Sequence, residues 1–334
     1  MANDDEFHDF YKYTPSKPAA ITFIALFLIS SAAHLFQLVR GRVWFFVPLV
    51  VGGIFEIVGF SGRIISSTEA PLFTDTPYII QNLFLLLAPA LFAASIYMEL
   101  GRLILVLEGE QHSIVRRTWM TKIFVTGDVL SFLATPSRDM IGQEQLANVT
   151  YILRIGGGIM ASGKPSNLSL GEKVVVVGLI IQILFFGFFI IVSVILHLRM
   201  NTHPTTASLS LGFSWRKYLY GLYAVSILVM VRSVFRVAEF AQGSNGTLLK
   251  HEVYLYVFDA ALMFILMVIL NVVHPGVISA LARGKVALKT TDTLEMQPGR
   301  DDLTGPRGVE PTTMRPSFTE STYVRHAIAT RGLA

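Results

Sequence analysis

Six stretches of this chain stay apolar over a length that decides what it can fold into: 18–39, 43–65, 77–107, 173–198, 217–239 and 253–275. A helix crossing the hydrocarbon of a bilayer needs about 20 mostly apolar residues, so each stretch predicts one spanning helix. The third is overlong and is expected to tilt or to project into the cytosol. A further stretch, 120–133, is too short alone, but 155–161 brings it to the length of one span. It is read as a fourth helix interrupted by an insertion at 134–154. Composition agrees, with 15% charged residues against about 25% in soluble domains. The expected fold class is an all-α integral membrane protein, a seven-transmembrane-helix bundle over 18–282.

Lysine and arginine set the orientation of such a bundle. Arg40 and Arg42 follow the first span, Arg116, Arg117 and Lys122 the third, Arg199, Arg216 and Lys217 the fifth, and Arg283, Lys285 and Lys289 the seventh. The connection at 66–76 has none, and that at 240–252 has only Lys250. The N-terminal segment, 1–17, is thus expected outside and the C-terminus in the cytosol. That segment is acidic and lacks the basic start of a cleaved signal peptide, so the first span is expected to stay in the membrane. Acceptor sequons at Asn148, Asn167 and Asn245 all fall on loops assigned outside. Asn167 and Asn245 are the glycosylation candidates. Residues 283–334 are rich in Thr, Pro, Gly, Arg and Glu without apolar periodicity, and read as a disordered cytosolic tail.

The chemistry lies in polar groups inside the spans. The sixth ends in "RSVFRVAEF", carrying Arg232, Arg236 and Glu239. On insertion scales a charge at a helix centre costs about 2.5–3.5 kcal/mol, and each large aliphatic residue returns only about 0.3–0.6. Partners within the bundle are the economical solution. The second span offers Glu56 and Arg63, the third Gln81, Asn82, Glu99 and Arg102, the fourth Asp128, and the last Asp259 and Asn271. With helices alternating in direction, Glu56, Arg63, Arg232, Arg236, Glu239 and Asp259 fall in the outer half, three positive and three negative; Asp128 lies nearer the midplane. Two readings stand: a polar site for an amphiphile opening toward the outer leaflet, or an ion-pair lattice that fixes helix packing. Arg236 and Glu239 can pair along their own helix. Glu56, Asp128 and Asp259 lack such a partner and lean toward function.

These residues also carry a resemblance. Glu56-x-x-Gly59-Phe60-x-x-Arg63, "YIIQNLFLLLAPALFAASIY" at 78–97, Asp128-Val-x-Ser131, "GLIIQILFFGFF" at 178–189, "RSVFRVAEF", "EVYLYVFDA" at 252–260 and "HPG" at 274–276 occur in order across the membrane domain. In this set the chain resembles the fungal RTA-like family of lipid-translocating exporters. The resemblance implies a seven-helix plasma-membrane protein that moves sphingoid long-chain bases outward and protects against toxic amphiphiles. In that family "DVLSFL" leads through a Gln into a glycine-rich stretch; here 134–154 intervene, and a retained intron is one reading of them.

A translocator of cationic amphiphiles is therefore the leading expectation, with Glu56 and Asp259 at the head group and Asp128 as a midplane relay. Arg63, Arg232 and Arg236 would hold the carboxylates or meet an anionic group. The alternative is a seven-helix receptor or lipid sensor. No phosphate-binding G-x-x-x-x-G-K-[ST] occurs, so ATP hydrolysis is not expected to drive transport. None of the eight histidines forms a pair at helical spacing, which argues against a metal-dependent lipid hydrolase; no catalytic residue and no metal is assigned. With no cysteine, thiol chemistry is excluded. No cofactor is needed, and the partners expected are membrane lipids and amphipathic small molecules rather than nucleic acid.

Overall fold

The computed structural model describes residues 15–69, 75–115, 165–210, 214–242 and 251–284, with isolated positions at 119, 122, 125, 126 and 248. The protein is a multi-pass membrane protein, and among the described residues every regular element is helical. The long helices are α1 (Lys17–Gly41), α2 (Val47–Glu69), α3 (Asp75–Val106), α4 (Pro165–Thr202), α6 (Trp215–Gln242) and α7 (Glu252–Val272); α5 is a short helix at Thr206–Ser210. Among the described residues six helices are long and apolar enough to cross a membrane. Each covers one of the six long apolar stretches, with ends displaced by a few residues, because capping and polar ends set a terminus while hydropathy sets only a span. Nearly all of 120–133 and the whole of 134–161 lie outside the described residues, as do 1–14 and 285–334.

Between α1 and α2 the chain turns within two residues. Arg42, with left-handed backbone (φ 50°), donates its N–H to the last carbonyls of α1, and a 3-10 turn at Trp44–Phe46 leads into α2. At the same end Arg283 donates through Nη1 to the Arg42 carbonyl at 2.8 Å and to Ser279 Oγ at 2.9 Å. Partial burial, then the positive Arg42 and Arg102, hold the Arg283 guanidinium below its usual pKa.

α2 is the central helix because glycines let its neighbours come close. A Cβ on Gly62 would stand 2.8 Å from the Pro77 carbonyl oxygen, and one on Gly52 would stand 2.6 Å from Phe92 Cε1, so both positions need hydrogen where α3 approaches. On its other side Gly53 accommodates Ser31 of α1 and Met267 of α7. Small residues at such contacts replace the hydrophobic drive that lipid removes. A plate of rings fills the space between α1, α2 and α7: Phe23 stacks on Tyr256 (5.3 Å) and Phe60 (5.8 Å), and Phe27 on Phe60 (6.0 Å). His34 donates through Nε2 to the Met267 carbonyl at 2.9 Å, and Asn271 donates to Ser30 Oγ at 2.9 Å, tying α1 to α7 over most of their length.

Candidate functional site

Arg232, Arg236 and Glu239 follow one another at four- and three-residue spacing, so they share one face of α6. That face is turned inward: Arg232 is 0%, Arg236 6% and Glu239 5% exposed. Burying them demands partners, since an uncompensated buried charge costs several kcal/mol. Arg232 donates through Nε to Asp259 Oδ1 at 2.7 Å. Arg236 donates through Nη1 to Glu239 Oε2 at 2.8 Å and through Nη2 to Asp259 Oδ2. Both oxygens of Asp259 are thus taken, one by each arginine.

Asp259 reaches this position from an irregular turn. Residues Tyr256–Ala261 of α7 form a π turn between α-helical Glu252–Leu255 and Leu262–Val272. The wider turn rotates the residues that follow it, and such turns are frequent at functional sites. Nothing in "YVFDAA" announces it.

The second irregularity is on α3. Pro89 lies inside that helix, and proline has no N–H to give the carbonyl four residues back. That carbonyl belongs to Leu85. Arg232 donates to it through Nη2 at 2.8 Å, so one guanidinium joins the oxygen released on α3 to the carboxylate presented by the π turn of α7.

Glu56 of α2 faces the same cluster, within electrostatic range of Asp259, Arg232 and Arg236. It is buried, yet it makes no ion pair with them, and its Oε1 has no hydrogen-bond partner among the described residues. On the donor side, Arg232 Nη1 and Arg236 Nε are likewise buried without partners there. The cluster therefore holds three carboxyl groups against two guanidinium groups, with one open acceptor and two open donors.

Arg63 belongs to a second cluster, one step further out. It donates through Nη2 to Glu252 Oε1 at 2.8 Å, through Nε to Tyr256 Oη at 3.2 Å and through Nη1 to Gln81 Oε1 at 3.4 Å. Its guanidinium lies 5.3 Å from the Tyr256 ring centre, and Glu252 also accepts the Ser16 backbone N–H at 2.8 Å. The π turn supplies Tyr256 to this cluster and Asp259 to the other, which makes them neighbours without a shared ion pair.

Of the residues expected at a site, Glu56, Arg232, Arg236, Glu239 and Asp259 come together, and Arg63 and Gln81 meet beside them. Asp128, Asn148 and Asn245 lie outside the described residues, and Asn167, expected on a loop, falls instead on the helical backbone of α4, because that helix already begins at Pro165. Sequence reading missed Glu252, Tyr256, Pro89 and the Leu85 carbonyl. Glu252 stands at the N-terminal end of an apolar run, where an acidic residue is ordinary helix capping; only the need of Arg63 for a carboxylate hinted at more. Glu99, also buried with an Oε2 that has no partner among the described residues, lies about 21 Å of helix rise from Leu85 along α3.

Residues 49–281 match the family model described as RTA1 like protein. The chain is 36% identical over 300 residues to Protein RTA1 of Saccharomyces cerevisiae, covering 82% of this chain and 87% of that protein. It is 32% identical over 310 residues to Protoporphyrin uptake protein 1 of the same yeast, covering 81% and 94%. To that yeast's sphingoid long-chain base transporter RSB1 it is 25% identical over 290 residues, covering 77% and 70%. No solved structure matches.

Proposed function

Because the chain belongs to the RTA1-like family, we propose that it translocates amphipathic lipids, sphingoid long-chain bases among them, across the plasma membrane, and that the α2–α6–α7 charge cluster is its head-group site. The observation that carries this reading is the open acceptor on Glu56. Asp259 is occupied by two arginines and Glu239 by one, whereas Glu56 has a buried oxygen without a partner among the described residues. An ammonium head group would complete that acceptor and balance the third carboxylate. Asp259 then contributes by holding the two arginines that frame Glu56. Relatives with lipid-transporter names support a transport role without chemistry on the lipid.

A seven-span topology with the N-terminus outside is part of the proposal. It is supported by how the described helix ends meet. Thr205, just past α4, donates to the Leu107 carbonyl at the end of α3 at 2.6 Å, and Arg199 donates to the His112 carbonyl at 3.2 Å. The C-terminal ends of α3 and α4 thus lie together, an arrangement that supports one further crossing between these two helices. The basic residues at that end support a cytosolic placement for it.

The test is export of a labelled sphingoid base from cells expressing the wild type or Glu56→Gln at matched surface level. Export that rises with the wild type and falls to background with the variant is expected. Equal export by both removes Glu56 from the site, and no export by surface-located wild type rejects the translocator reading in favour of a sensor.

A further inference from the structure

Arg232 is held more tightly than an ion pair alone requires. Its Nε is fixed by the π turn through Asp259 and its Nη2 by the carbonyl that Pro89 leaves open. A guanidinium is planar, so two fixed nitrogens fix the third. The third, Nη1, is the buried donor without a partner among the described residues, and Arg236 Nε is another. Burying a donor at a charged group without an acceptor costs more than the mean hydrogen bond returns, and the fold keeps Nη1 in that state with two anchors from different helices.

We propose that Arg232 Nη1 donates to an oxygen of the transported head group, and that Pro89 is the positioning residue that aims it by freeing the Leu85 carbonyl. Resting on the translocator reading, this assigns the donor that would tell a head group with a hydroxyl beside its nitrogen from a bare amine. Glu56 offers an acceptor for a cation and Arg232 a donor for an oxygen, within electrostatic range of one another. The complementary head group is a long-chain amine bearing a hydroxyl beside the nitrogen, rather than a bare amine. A residue with an N–H at position 89 restores the ordinary α-helical bond to Leu85, competes with Arg232 Nη2, and lets the guanidinium swing about the Asp259 bond.

The experiment compares two labelled probes of equal chain length, a 2-amino-alcohol and the matching amine without the hydroxyl, in the wild type and Pro89→Ala. A hydrogen bond from a charged donor is worth about tenfold or more, so the wild type should show a KM at least about tenfold lower for the amino-alcohol. Pro89→Ala should erase that preference, bringing the KM ratio of the two probes to about one whatever its effect on the export of either. A merely structural role for Pro89 would lower both probes together and keep their ratio, and that result overturns the inference. Equal KM values for the two probes in the wild type overturn it without any variant, which covers the case in which Pro89→Ala does not reach the surface. If the wild type exports neither probe, it is the translocator reading that fails.

Discussion

Glu56 and Asp259 are both buried carboxyls in one cluster, and their isosteric amides should separate stability from transport. Asp259→Asn removes the acceptor charge that serves two arginines, one through the 2.7 Å bond to Arg232 and one through Nη2 of Arg236. An amide can accept one of those bonds, but its NH2 then faces the other guanidinium, donor against donor. Removing one partner of a buried pair costs about 3–5 kcal/mol, and with Arg232 and Asp259 at 1% and 2% side-chain exposure solvent screening offers little relief. Glu239 still serves Arg236, so the larger part of the loss falls on Arg232. Glu56→Gln breaks no ion pair and takes a carboxylate away from beside Asp259, so its stability should stay within about 1 kcal/mol of the wild type. Thermal unfolding of both variants in detergent, followed by size-exclusion fluorescence, reads the difference. For a chain of 334 residues each kcal/mol shifts Tm by about 1.4 °C, so Asp259→Asn should fall by roughly 4–7 °C and Glu56→Gln by no more than about 1.5 °C. A Glu56→Gln loss as large as that of Asp259→Asn would refute the reasoning, because it would make Glu56 one more strut of an ion-pair lattice.

The chain has no cysteine, so single introduced thiols report topology directly. Thr68→Cys, exposed near the end of α2, should react with a membrane-impermeant maleimide on intact cells, and Thr202→Cys, exposed at the end of α4, only after permeabilisation; the reverse pattern inverts the bundle. Gly62→Ala places a Cβ 2.8 Å from the Pro77 carbonyl oxygen and 3.3 Å from the Gln81 backbone nitrogen, atoms of a helix that cannot step aside singly. It should cost about 1–3 kcal/mol in the same unfolding assay, while Gly187→Ala, whose Cβ meets only Met230 Cε at 3.8 Å among the described residues, should be tolerated.

What was legible in the sequence, and what was not, divides along a physical line. Span length and loop charge are read along the chain, and from them alone Glu56, Arg63, Arg232, Arg236, Glu239 and Asp259 fall at similar depth. Pairing also needs the rotation of each helix about its axis, which an amphipathic stripe reveals in a soluble protein. A span apolar on every side has no such stripe. The same-helix pair Arg236–Glu239 could be foreseen because its geometry is local. Arg63 could not be assigned to Glu252 rather than to Asp259, because that choice turns on the phase of α7. Seven residues separate Glu252 from Asp259, which on a regular α-helix would put both on one face. The π turn between them breaks that regularity, and one extra residue in a turn displaces everything beyond it by about 100°. Glu252 is thereby turned to Arg63 and Asp259 to Arg232. Pro89 acts in the same way on α3: its effect is a missing bond, felt only where another helix supplies the donor. Both departures from ideal helix geometry converge on Arg232, and these are the places where a pattern-based reading has to fail, because the site is made from breaks in the pattern.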